Sequence, residues 1–230
     1  GLRNGSIWAN CMWLKGVVMK AHYNGLIPRN PFIQFHISPN VKEREYLTED
    51  ELKAVMTHEF ADSKLAYIRD IFIFASFTVL SFVDIQELTN DNIVEVNGEK
   101  WILSKRHKTK VAFQVKLLDI PLQIVERYRP MQKDNRIFPG LNYWSICKPL
   151  KRMIRECGIT KSISFHCSRH GFATLALSKG MPIESVSRVL GHTNIVTTQL
   201  YAKITTQKLD NDLTMFGDKL SKTFNGITMS

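Results

Sequence analysis

Two short stretches toward the C-terminal end of this 230-residue chain hold residue types suited to phosphate. In Phe165-His166-Cys167-Ser168-Arg169-His170-Gly171-Phe172, His166 and Arg169 stand three apart where a helix should begin. Side chains at i and i+3 share a helix face, and a helix N-terminus offers free N–H groups that favour an anion. Further on, Leu190-Gly191-His192-Thr193 puts a histidine directly after a helix-ending glycine, and Tyr201 follows nine residues later in Gln199-Leu200-Tyr201-Ala202. Each piece alone has an ordinary structural reading: a capping histidine beside a surface arginine, a solvated turn histidine, a core tyrosine.

The elements that must position these residues can be read from period and punctuation. A helix is predicted over 7–23, ended by Gly25 and blocked by Pro28 and Pro31. The polar stretch 30–45 reads as a linker, and Thr48 and Glu51 have capping-box spacing, so a domain boundary is placed near residue 45. A long helix follows over 63–79, with Leu65, Ile68, Phe72, Ala75 and Val79 on one face. Strand-like runs at 92–96 and 99–103 flank Asn97-Gly98, a strong hairpin signal, and 111–117 supplies a third strand. Helices are predicted from Pro121, over 143–157 with an interruption at Pro149, and over 166–178, 182–190 and 194–202. Leu209, Leu213, Phe216 and Leu220 form an apolar stripe on a terminal helix. The fold class is mainly α with a small three-stranded antiparallel sheet.

Charge narrows the class of partner. A formal charge of +10 and a pI near 9.5 point to a polyanion, foremost nucleic acid. The basic residues cluster in Ser104-Lys105-Arg106-His107-Lys108-Thr109-Lys110, between the second and third strands, and in Lys148-Pro149-Leu150-Lys151-Arg152. Lys105, Lys110, Lys151 and Arg152 are candidate DNA-backbone contacts, which position a protein without reading sequence. No apolar run reaches the length of about 18 residues that a membrane helix needs. The four cysteines form no C-x-x-C pair, which argues against a zinc site or a disulfide framework, and the N-terminus has no signal-peptide core. A cytoplasmic protein is expected, and a start without Met reads as a piece of a longer chain.

Taken in order, H-C-S-R-H-G-F-A-T-L at 166–175 and L-G-H-T-N-I-V-T-T-Q-L-Y-A at 190–202 resemble the paired boxes of the tyrosine recombinases, the phage and transposon integrases and their chromosome-resolving relatives. The resemblance spans about 45–205. The forms R-x-K-T and T-T-Q-x-Y-A look most like integrases of conjugative transposons from Bacteroides-type bacteria. The resemblance implies the recombinase catalytic-domain fold over 45–230. It also implies that 1–44 is the last helix of a core-binding domain plus a linker, with the family's other N-terminal DNA-binding parts lying outside this sequence. It implies site-specific cleavage and rejoining of duplex DNA through a 3′-phosphotyrosyl link, for integration or excision of a mobile element. Tyr201 then matches the nucleophile, and Arg169, His166 and His192 match the groups on the scissile phosphate. Lys108 matches the general acid that protonates the departing 5′ oxygen.

No carboxylate cluster with metal-ligand spacing appears, in keeping with a metal-independent reaction without cofactor. The implied partners are DNA attachment sites, further copies of the chain in a tetramer on DNA, and accessory DNA-bending proteins. One departure stands out. The family carries an arginine after its long helix, in T-G-L-R-x-x-E/D, and this chain reads Thr78-Val79-Leu80-Ser81-Phe82-Val83-Asp84. Arg106, two residues before Lys108 and on the same face if the segment is extended, is the candidate replacement. The rival reading is a DNA-binding module or decayed recombinase without strand transfer, since 182–190 and 194–202 have the look of a helix-turn-helix.

Overall fold

The structure, a computed structural model, describes residues 4–36, 38, 45–107, 111–132, 134–192, 194–202 and 206–223. The chain divides into two compact units, Gly1–Arg44 and Glu45–Ser230. The first is built on α1 (Asn4–Tyr23), which ends where Gly25 takes a φ of 71°. Trp13, Leu14 and Val17 on this helix are exposed, and none of its residues is buried.

The second unit is organised around α3 (Ser63–Thr78). Leu65, Ile68, Ile71, Phe72, Ile73, Phe74 and Ala75 are all buried, so this helix is covered on most of its circumference and acts as the central post. The helix α2 (Glu49–Thr57) starts at the predicted capping box, in which Thr48 and Glu51 satisfy each other's backbone N–H. Around the post pack α5 (Asp119–Tyr128), α6 (Tyr143–Glu156) and α7 (Cys167–Ser178). A buried carboxylate ties α3 to α5: Asp70 accepts from Arg69 Nε at 2.9 Å, Arg127 Nη1 at 2.7 Å and the Tyr128 hydroxyl at 2.7 Å. Three acceptances of this kind keep a buried charge solvated by the protein itself.

The sheet is the predicted three-stranded antiparallel meander: β1 (Ile93–Val96), β2 (Glu99–Lys105) and β3 (Ala112–Lys116). Ile93 pairs with Ile102, and Lys105 with Ala112. Asn97 and Gly98 have φ of 53° and 77°, as a two-residue hairpin turn that matches strand twist requires. The backbone N–H of Arg106 bonds the Val111 carbonyl at 2.8 Å, so the ladder extends one pair beyond the strands.

Three expectations are corrected. Pro149 neither breaks nor ends α6, which is continuous over Tyr143–Glu156. The burial of Ile146, Leu150, Met153 and Ile154 on one face outweighs the single lost backbone bond. A short helix, α4 (Phe82–Gln86), lies in a stretch read only as a motif, and Ser81 is its N-cap, in a reciprocal capping box with Asp84. The segment predicted as a helix over 194–202 holds only the four-residue α9 (Val196–Gln199) after α8 (Ile183–Leu190). Such a stub is too short to lie along a DNA groove, which removes the helix-turn-helix alternative for this pair. The terminal helix α10 (Thr206–Thr223) carries the apolar stripe as expected, and Leu209, Leu213, Phe216 and Leu220 are 40–60% exposed.

Candidate DNA strand-transfer site

The site is built on a small second core. Val79, Ala173, Leu177, Val186 and Leu190 are buried together, with Phe172, Ile183 and Tyr201 packed against them. This core joins the end of α3, one face of α7 and the apolar face of α8. Phe165, edge-on to Phe72 and Phe82, anchors the entry to α7, and His166 is that helix's N-cap residue. Gly191 ends α8 at φ 66°, a left-handed cap that favours glycine, and turns the chain toward His192.

Two arginines meet at one carbonyl. Val79 closes α3 in the left-handed region, φ 61°, fully buried. Its oxygen accepts from Arg169 Nη1 at 3.0 Å and from Arg106 Nη1 at 3.2 Å. Arg169 Nη2 also donates to the Leu190 carbonyl, and Arg106 Nη2 to the Val189 carbonyl at 3.0 Å. Arg106 is 7% exposed. It lies over the Phe113 ring at 4.2 Å and pairs with Asp84 Oδ2 at 3.0 Å. Its Nε is buried without a hydrogen-bond partner among the described residues, beside Gly191, where a Cβ would come within 3.6 Å. Burial first, and the Arg106 cation second, lower the Arg169 guanidinium to about 10, which leaves it charged at neutral pH.

Asp84 holds this arrangement. Besides Arg106 it accepts from the His107 backbone N–H at 3.0 Å and from the Ser81 N–H at 3.2 Å. Burial alone would raise its carboxyl, but these hydrogen bonds and the Arg106 charge outweigh it and hold the group below the usual carboxylate range. His107 Nδ1 contacts Glu87 at 2.9 Å, a second tie between α4 and the turn that follows β2.

Tyr201 lies in a histidine cluster. Its ring is stacked with His192, 6.4 Å between centroids at 14°, and stands 5.1 Å from His170, which in turn meets His166 at 4.8 Å. His192 Nδ1 is 2.9 Å from the hydroxyl of the fully buried Thr198. Burial, then Arg169, Arg106 and His166, lower the His192 imidazole, so it is neutral at physiological pH. In the tautomer in which Thr198 donates to Nδ1, the proton of the neutral ring sits on Nε2 and can be donated to a phosphate oxygen.

The structure therefore brings together Tyr201, Arg169, His166, His192 and Arg106. Lys108 and Lys110 lie outside the described residues. Lys105 is exposed at the end of β2. Lys151 and Arg152 line a separate open cleft of about 420 Å³ on α6, with Lys148, Arg155 and Glu156. Arg152 pairs there with Glu156 at 2.8 Å and Asp62 at 3.1 Å, so part of its charge is already matched. Sequence reasoning passed over His170 and Thr198. His170 was findable, since it stands one helical turn after His166. Among the described residues no group of three or more His, Cys, Asp or Glu could hold a metal ion, and no helix is long and apolar enough to cross a membrane.

Residues 45–208 match the phage integrase family. The chain belongs to that family. Among curated relatives it is 32% identical over 177 residues to the tyrosine recombinase XerA of Pyrococcus horikoshii, covering 71% of this chain and 58% of that protein. It is 26% identical over 200 residues to the tyrosine recombinase XerC of Lactobacillus leichmannii, 80% of this chain and 67% of that one. The chain thus spans a little over half the length of the XerA relative. Among solved structures, the Tn1549 transposon integrase in complex with transposon right end DNA superposes with a TM-score of 0.77 at 16% identity, covering 94% of this chain and 81% of that one. A lambda integrase dimer bound to a COC′ core site gives 0.65 at 18% identity, over 82% and 56%. The integrase catalytic-domain fold follows from these superpositions.

Proposed function

We propose that this chain is the catalytic part of a site-specific DNA recombinase that cleaves and rejoins duplex DNA. Tyr201 Oη attacks the scissile phosphorus and forms the 3′-phosphotyrosyl bond as the bond to the 5′ oxygen breaks. Lys108 supplies the proton that the departing 5′ oxygen takes up, and the phenolic proton of Tyr201 passes to water. Rejoining runs the same exchange backwards, so the bond energy is conserved in the adduct. Arg169, Arg106, His192 and His166 donate to the phosphate oxygens, where charge grows in the transition state. Lys105, Lys110, Lys151 and Arg152 act on non-scissile phosphates.

The observation that carries this reading is the convergence of two arginines, one buried and one half-buried, and three histidines around one tyrosine. A structural core has no need of two guanidinium groups side by side, whereas a phosphodiester monoanion that gains a second negative charge in the transition state does. Arg106 takes the place of the arginine absent at Ser81: it is buried beside Arg169, anchored by Asp84, and has an Nε–H still to be satisfied. A surface backbone contact would leave it exposed. The R-x-K-T and T-T-Q-x-Y-A forms support a mobile-element integrase of the Bacteroides conjugative-transposon type as the setting, with residues 1–44 as the end of a core-binding domain. The exposed α10 stripe supports exchange of this helix between copies in a tetramer on DNA.

The test is covalent capture. On nicked attachment-site DNA the parental chain should form an adduct that survives denaturation. Tyr201→Phe should form none while keeping nearly all of its DNA affinity. A DNA-binding module without strand transfer would bind equally in both forms and give no adduct in either.

A further inference from the structure

His170 lies inside the first box with no role assigned to it there, yet its ring meets both His166 and Tyr201. It projects from α7 directly after Arg169, and its centroid is 5.1 Å from the Tyr201 ring at an interplanar angle of 58°. Tyr201 is also stacked with His192 at 14°. The phenol therefore touches two imidazoles from different elements, one from the first turn of α7 and one from the segment after α8. Tyr201 itself follows the short α9 in a turn, with its N–H bonded to the Thr198 carbonyl at 3.0 Å.

We infer that His170 is a positioning residue for Tyr201: its ring is the wall that sets the phenol for in-line attack. The inference rests on Tyr201 being the nucleophile. Aromatic pairs prefer tilted and offset geometries at this separation, which gives such a wall a direction as well as a distance. In-line displacement tolerates little misplacement, and a shift of about 1 Å can lower a rate by about 10²-fold. Among the titratable groups that face the His170 ring are His166 and Tyr201, with Arg169 beside it on the helix, and the role assigned needs none of them to change protonation.

The experiment is single-turnover adduct formation at saturating DNA, on ordinary nicked duplex and on duplex with a bridging 5′ sulfur at the scissile position. The sulfur leaves without a proton, so this substrate bypasses the general acid and reports on the nucleophile. His170→Ala should cut the rate by about 10²-fold on both substrates, with DNA affinity unchanged. His170→Phe, which restores a ring, should recover most of the parental rate. His170→Leu fills the space without a ring face and takes the place of the alanine variant should that one unfold; it should be as slow. The inference is overturned by parental rates in the variants lacking a ring, by rescue on the sulfur substrate, or by a phenylalanine variant as slow as leucine. Tyr201→Phe run alongside keeps the two failures apart. An adduct formed without the Tyr201 hydroxyl sinks the nucleophile assignment itself, whereas its absence, together with a fast His170→Leu, sinks only the role of His170.

Discussion

At the scale of single residues, the proposed substitution of Arg106 for an arginine at position 81 is the sharpest departure from the family pattern. Removing one donor from a site that stabilises an oxyanion costs about 10²–10³ in rate. Arg106→Ala should therefore cripple cleavage at saturating DNA, measured as the single-turnover rate. Ser81→Ala should leave that rate close to parental while lowering stability by about 1 kcal/mol, because the hydroxyl caps α4. Ser81→Arg should partly restore the Arg106→Ala enzyme. Parental cleavage by Arg106→Ala would reduce Arg106 to a structural residue. The two boxes were legible because each holds its residues within a few positions, where helical spacing fixes which side chains share a face. The burial of Arg106 was not legible. Its partners Val79, Asp84 and Val189 lie 27, 22 and 83 residues away, and nothing local to the β2–β3 segment announces them.

At the scale of elements, α4 and the turn after β2 are joined through Asp84. With side chains only 5% and 9% exposed, Asp84 and Arg106 form a buried pair. Removing one member of such a pair costs about 3–5 kcal/mol, since the other charge is left buried alone. Asp84→Asn should show that loss in urea unfolding at neutral pH. The folded carboxyl titrates below its unfolded value of about 3.9, so its contribution is complete above that pH and declines as the pH falls through the folded value. The stability gap between parent and Asp84→Asn should accordingly close on acidification; a gap independent of pH would show that the carboxylate charge plays no part. The hairpin, the Thr48 capping box and the long α3 were readable in the sequence, because turn residues, caps and 3.6-residue periodicity are local rules. The helix α4 was not, being a five-residue element set by its capping box and by what it packs against. Pro149 misled for the converse reason: a local rule against proline was overruled by four buried side chains on the same helix.

At the scale of the whole molecule, α10 leaves a row of large apolar side chains in water. Exposed apolar rows of this kind mark docking surfaces. If the helix passes to a neighbouring copy on DNA, truncation after Gln207 should weaken synapsis of two attachment sites far more than binding to one, in gel-shift titrations of both. Equal synapsis by the truncated chain would return α10 to its own core. The apolar spacing of this helix was plain in the sequence. What covers it was not, because periodicity shows that a face is apolar and not whose face it meets. 

The anchors of the arginine pair have a consequence for how such a site can drift. Arg106 and Arg169 are held chiefly by the main-chain oxygens of Val79, Val189 and Leu190. Every residue type has that oxygen, so the receptor survives side-chain replacement as long as the chain keeps its path. A cradle of this kind does not specify which stretch of polypeptide must deliver the guanidinium. One arginine can vanish from the start of a helix and another arrive from the end of a strand, with the pocket unchanged between them. If Arg106 serves the scissile phosphate, the catalytic position it fills is an address in space that more than one sequence position can reach.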